Sequence, residues 1–237
     1  MRINLEKGPS GTSPLFAAIP HRQCARAGYN GQSASAADLR LLEGAATGGG
    51  GGVLMLTDRA RMETVAEYVA EGNVAQLGDP HFVKELTTWI RFNTTEAERR
   101  GDGLFGPALG IPVIPRWLGK IIMRTVVSAH RQNDRDITNV RSSGGIAVFV
   151  SEANDKAHWI DVGRRYERFA LQATALGLRN AFVNQPVEVP RLRQQFAGWL
   201  GLGRRRPDLI VRFGYGPDMP RSLRRPLSDI VVSEAVT

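Results

Sequence analysis

The segment HWIDVGRRYERFALQATALGL, His158 to Leu178, most restricts what this chain folds into. Its residues Trp159, Val162, Tyr166, Phe169, Ala170, Ala173 and Leu176 recur at helical spacing along one broad stripe. The pattern predicts a long buried helix that Gly177 ends. Short apolar runs stand on both sides of it. GGIAVFVS, Gly144 to Ser151, precedes it as a strand; RNAFVNQ follows as another, and PDLIVRFGYG reads as a central strand. Helices that alternate with a few strands, several of them apolar on both faces, predict an α+β or α/β layer and not a helix bundle.

The same reading extends upstream. SASAADLRLLEGAA predicts a helix with Ser33 or Ser35 as N-cap and with Leu39, Leu42 and Ala46 on one face. The glycine run Gly48 to Gly52 holds no lysine and leads into the strand GVLMLTD, so it reads as a flexible connection and not as a phosphate loop. RARMETVAEYVAEGNVAQLG and PHFVKELTTWIRFN are helices, the second with Pro80 in its first turn. TTEAERRGDGLFGPALGIPVIP, about residues 94–114, is rich in Gly and Pro and predicts a long irregular loop of the kind that serves as a lid. RWLGKIIMRTVVSAHR resumes as a helix, and QNDRDITNVRSS is a polar run before the next strand. RLRQQFAGWLGL is a further helix, and PRSLRRPLSDIV a closing basic segment. Residues 1–14 are expected to be a flexible arm, and residues 15–237 one domain.

Composition narrows the function classes. A net charge of +8 invites a nucleic-acid partner, yet only four of the 31 basic residues are lysine and the arginines are scattered. No zinc-finger spacing, RNP-type strand or basic heptad region accompanies the charge, so no nucleic-acid partner is expected. His21, His81, His130 and His158 show no metal-ligand spacing, and no metal is expected. No run approaches the roughly 18 apolar residues of a membrane helix, the first residues lack a signal-peptide core, and a single cysteine excludes a disulfide framework. Together these predict a cytoplasmic protein.

RQCARAGY, Arg22 to Tyr29, is the first stretch that suggests chemistry. Two arginines four apart on one helical turn point the same way, which suits a joint grip on a phosphate. A solvated basic turn is the other reading.

The order of parts resembles the nitroreductase superfamily of FMN enzymes. The resemblance runs from Leu15 to Val232 and is most specific in the last third: strand, long helix with an early Trp, LGL, short strand, helix, strand, closing Arg-Pro. It implies an α+β, three-layer fold with a central mixed or antiparallel sheet flanked by helices. It also places Arg22, Cys24 and Arg26, with Gln23 among them, on the element that holds the FMN phosphate and ribityl chain. Cys24 stands where that element usually has a hydroxyl residue, and a thiol is a weaker donor. Val183, Asn184 and Gln185 fall on the strand that meets the flavin ring, although a turn with solvent-facing amides is the competing reading. Arg224 and Arg225 match basic residues that complete the phosphate site.

What the resemblance implies for activity is an NADH- or NADPH-driven, ping-pong reduction of a small-molecule acceptor such as a nitroaromatic or a quinone. The flavin carries the chemistry, so no catalytic acid or base is expected. One departure stands out. The superfamily's Ser-x-x-Asn-x-Gln-Pro-Trp element is replaced here by ATGGGGGVLMLTD. This is similar to the C-terminal half of Acg-like fused-dimer proteins and implies a homodimer or pairing with a second nitroreductase-like half. An FMN-binding or FMN-storing half-domain without turnover is the alternative.

Overall fold

A computed structural model of the chain describes residues 13–125, 128–223 and 225–230. Arg224 and nearly all of the expected N-terminal arm lie outside the described residues. The helices are α1 (Pro14–Ala18), α2 (Ala36–Ala46), α3 (Arg59–Leu77), α4 (Pro80–Trp89), α5 (Thr94–Arg100), α6 (Arg116–Thr125), α7 (Ala129–Arg141), α8 (Lys156–Ala175), α9 (Gln185–Glu188) and α10 (Pro190–Trp199). The strands are β1 (Gly51–Leu56), β2 (Ile90–Arg91), β3 (Leu104–Phe105), β4 (Gly145–Ser151), β5 (Arg179–Phe182) and β6 (Arg206–Gly214).

β1, β4, β6 and β5 form one sheet in that order, with every neighbouring pair antiparallel. The period of two along β4 sorts its side chains between two cores. Ile146, Val148 and Val150 face one core with Ile210 of β6, covered by α3, α7 and α10 through residues such as Val65, Val140 and Phe196. Ala147 and Phe149 face the other with Val211 and Phe213, covered by α2 and by the stripe of α8 through Leu42, Phe169 and Ala173. Every residue of β4 is buried because helices cover both faces, which is why that run reads as unbroken apolar sequence. The fold is the expected three-layer α+β arrangement, helices on both sides of an antiparallel sheet.

Two segments differ from expectation. The polar run QNDRDITNVRSS is largely helix α7, capped by Ser128, whose hydroxyl accepts from the Arg131 N–H. Its inward face is built from Asp136 and Asn139 beside Val140, so no apolar period marks it. Within 94–114, residues 94–100 form α5: Asn93 accepts from the Glu96 N–H at 2.9 Å, Glu96 accepts from the Phe92 N–H at 3.2 Å, and Gly101 closes the helix in a left-handed turn. These two side-chain caps outweigh the Gly-rich sequence that follows.

The glycine run is not slack either. Arg165 on α8, fully buried, pairs with Asp161 at 2.9 Å and donates to the Gly52 and Val150 carbonyls at 2.9 and 3.1 Å. Arg168 donates to the Ala45 and Thr47 carbonyls, both at 2.9 Å. A Cβ on Gly51 would collide with the Val150 carbonyl and the Arg165 guanidinium. Gly51→Ala is therefore expected to destabilise the protein by about 2 kcal/mol, the scale of overpacking in a tight core. Thermal unfolding checks this, and an unchanged midpoint removes the clamp.

Candidate functional site

A cavity of about 320 Å³ opens on the α3/α7 side of the sheet. Its floor is polar. Asp136 on α7 accepts through Oδ2 from Asn73 Nδ2 at 2.9 Å, Gln132 Nε2 at 3.0 Å and Gln185 Nε2 at 3.2 Å. Gln185 Nε2 also donates to Asn73 Oδ1 at 3.1 Å. Four polar side chains from three helices thus hold one another, with Asn73 and Asp136 buried. The contact between α3 and α9 needs a glycine: a Cβ on Gly72 would lie 2.5 Å from Gln185 Cβ and 2.9 Å from its carbonyl carbon. Phe82, Leu86, Ile111 and Met123 supply an apolar wall opposite.

The second polar wall comes from β6 and the N-terminal segment. Arg212 is 2% exposed, in the middle of an apolar strand. Its Nη2 donates to the Ala25 and Ala27 carbonyls at 3.3 and 2.9 Å, and its guanidinium lies 4.2 Å from the centre of the Tyr29 ring. Tyr29 Oη donates to the Ala25 carbonyl at 2.9 Å. Burial pushes the Tyr29 phenol far above its ordinary value, against the opposing pull of Arg212. Burial lowers the Arg212 value, although a guanidinium keeps its proton in proteins. Arg26, Arg135 and Arg212 line the cavity against the single carboxylate of Asp136, so its field is positive.

The expected site residues separate. RQCARAGY is extended and not a helical turn: Cys24 pairs in parallel with Asn180 at the free edge of β5, and the Ala25 N–H donates to the Asn180 carbonyl at 2.9 Å. Arg26, Val183 and Gln185 line the cavity. Arg22 instead pairs with Glu167 of α8 at 3.1 Å, and Gln23 Nε2 reaches Asp218 at 3.5 Å. Asn184, half-buried at the N-terminus of α9, accepts through Oδ1 from the Ile210 N–H at 2.8 Å, so its side chain extends the β5–β6 ladder. Arg225 donates to the Gly101 carbonyl at 2.5 Å and lines a different, wider cleft with Arg99 and Arg100.

Arg212, Asp136 and Asn73 were missed by reading the sequence. An arginine inside LIVRFG was a usable signal, since a charge in a central strand must be held by specific partners. Two residues that line the cavity each carry a buried polar atom without a protein partner, Gln185 Oε1 and Arg212 Nη1. Among the described residues no three His, Cys, Asp or Glu side chains converge as a metal site, and no helix is long and apolar enough to cross a membrane.

No model of a known protein family matches the chain. Two curated Mycobacterium tuberculosis proteins, MT3217 and Rv3131, both provisionally named NAD(P)H nitroreductases, are 23% identical over 225 residues. The alignment covers 92% of this chain but 61% of theirs, so the chain spans about three-fifths of the length of these relatives. A nitroreductase with bound FMN from Bacteroides fragilis superposes with a TM-score of 0.59 at 14% identity, over 94% of this chain and all of the other. A nitroreductase with bound FMN from Desulfitobacterium hafniense gives 0.57 at 12% identity, over 95% and 100%.

Proposed function

We propose that this chain, whose fold is that of the nitroreductase superfamily, is the flavin-holding part of a cytoplasmic FMN-dependent oxidoreductase. In this reading NADH or NADPH donates electrons, and a small-molecule acceptor such as a nitroaromatic or a quinone receives them in a ping-pong sequence.

The observation that carries the reading is the cavity itself: an apolar wall, a rigid polar floor and three arginines against one carboxylate. That donor set fits FMN, an apolar ring system with a polar edge and a phosphate. Bound FMN would supply two-electron redox chemistry. The chain's own residues bind and orient. Arg26 would neutralise phosphate charge, Val183 and the apolar wall would pack the ring and exclude water, and Asp136 holds Gln185, which would sit at the ring's margin. Arg22 joins the phosphate site by exchanging Glu167 for the ligand, while Cys24 and Gln23 follow the same extended edge. Asn184 and Arg225 act at one remove, through the β5–β6 ladder and the neighbouring cleft. The missing Ser-x-x-Asn-x-Gln-Pro-Trp element favours completion by a second copy or a partner half.

The test is the visible spectrum of the purified chain after incubation with FMN and desalting, followed by anaerobic NADH or NADPH. Retained flavin that bleaches supports the oxidoreductase. Retained flavin that stays oxidised supports the storage reading, which the missing element favours. Arg26→Ala is expected to weaken FMN binding by about tenfold or more, since charge-assisted hydrogen bonds contribute roughly 1.5–3 kcal/mol each. Unchanged affinity in a fluorescence titration rejects Arg26 as a phosphate ligand.

A further inference from the structure

We propose that the outer face of α6, with Val113 just before it, docks on an anionic lipid surface. The proposal stands apart from the flavin reading, and its test contains no flavin.

α6 has an inner and an outer side. Gly119 and Met123, one turn apart, are buried, and a Cβ on Gly119 would lie 2.4 Å from the Phe92 ring, so this side seats on the small core of Ile90, Phe92 and Met123. At about 100° per residue, Trp117 and Ile121 fall on the opposite side. Trp117 is 66% exposed, Ile121 49% and Val113 61%. Large apolar side chains exposed singly are ordinary, but three in one short segment, one of them a tryptophan, suit a boundary between water and hydrocarbon.

The charge pattern selects the occupant. Between Asp102 and Asp134 the sequence holds no acidic residue, yet it holds Arg116, Lys120, Arg124 and Arg131, the first three at four-residue spacing in α6. Arg116 is matched by the buried Glu96 of α5. Arg99 and Arg100, exposed in the last turn of α5, add cations on the element that this pair ties to α6. An apolar stripe with a tryptophan, accompanied by basic positions and free of acids, is the make-up of a helix that lies in the plane of an anionic bilayer surface. A second copy on this face would set two acid-free segments against each other, cation on cation. The underside of the same segment walls the cavity through Leu109, Ile111 and Met123. Docking would therefore hold the cavity close to lipid, where apolar small molecules concentrate.

The test floats the full chain with phosphatidylcholine vesicles made with and without phosphatidylglycerol. The wild type is expected to float with the anionic vesicles and not with the neutral ones. Trp117→Glu and Trp159→Glu change the net charge alike, and Trp159 is half-exposed on α8. Trp117→Glu is expected to weaken binding to the anionic vesicles by about tenfold or more beyond the effect of Trp159→Glu. Brominated lipid gives a second readout that needs only a conservative change: it is expected to quench wild-type tryptophan emission, and Trp117→Phe is expected to bind yet lose most of that quenching. No flotation of the wild type overturns the proposal. Equal weakening by the two Glu variants overturns it as well, since the net charge of +8 would then be the whole cause. Quenching that survives in Trp117→Phe overturns the placement of α6 at the lipid. A wild-type dimer that Trp117→Glu splits in sedimentation, with no flotation, assigns the face to a second copy instead.

Discussion

Asp136→Ala is expected to lower the free energy of unfolding by about 3 kcal/mol or more and to weaken FMN binding with it. Asp136 is 8% exposed, and its carboxylate is the shared acceptor for Asn73, Gln132 and Gln185. Truncation removes the acceptor from three amides at once: it orphans the buried Asn73 Nδ2, at about 1–3 kcal/mol before relaxation, while Gln185 Nε2 keeps its bond to Asn73 and Gln132 is half-buried. It also removes the only carboxylate among the cavity-lining residues, where Arg212 stays buried and charged. Asp136→Asn keeps the shape and one acceptor, so its loss is expected to be well under half as large. Urea unfolding of the two variants decides the matter. Equal stability of Asp136→Ala and wild type would show that the network is dispensable, and with it the rigid floor beneath Gln185.

How much of this was legible in the sequence depended on what each segment buries. β4 and α8 were readable because both bury apolar side chains at a regular period, and Ser35 was readable as a cap because its Oγ meets the Asp38 N–H at 3.0 Å. α7 was not, since its buried face carries Asp136 and Asn139, and residue type alone assigns such residues to the surface. The partners that make their burial tolerable sit on α3 and α9, about sixty and fifty residues away in the chain. The Arg22–Tyr29 segment was misjudged for a related reason. Its extended course is imposed from outside, by the edge of β5 and by the Arg212 guanidinium, while its own composition suits a helix equally well. Asn184 shows the limit of placing side chains by analogy. Val183 and Asn184 follow β5 and do not lie in it, Gln185 opens α9, and the Asn184 amide oxygen is taken by the Ile210 N–H.

Alkaline conditions are expected to unfold this protein steeply from about pH 10 upward, the value at which tyrosines of the unfolded chain ionise. Tyr29 and Tyr166 are both buried, and burial raises both phenols well above that value; the nearby Cys24 adds to the rise at each. In this window the unfolded chain releases these two protons and the folded chain keeps them, so stability falls as pH rises. Each phenol contributes a slope of about 1.4 kcal/mol per pH unit, hence about 2.7 for the pair. Few other groups compete, since only four of the 31 basic residues are lysine and arginine holds its proton beyond this range. Both phenols also latch the same edge: Tyr29 Oη holds the Ala25 carbonyl, and Tyr166 Oη donates to Asn180 Oδ1 at 3.2 Å, on the residue paired with Cys24. Loss of bound FMN is therefore expected to track unfolding of the Arg22–Tyr29 segment as pH rises. Phenolate absorbance of the native protein at about pH 11 should show Tyr29 and Tyr166 still neutral. Tyr166→Phe should halve the slope, whereas a melting temperature that stays flat between about pH 9.5 and 11 would sink the assignment of these phenols as buried latches.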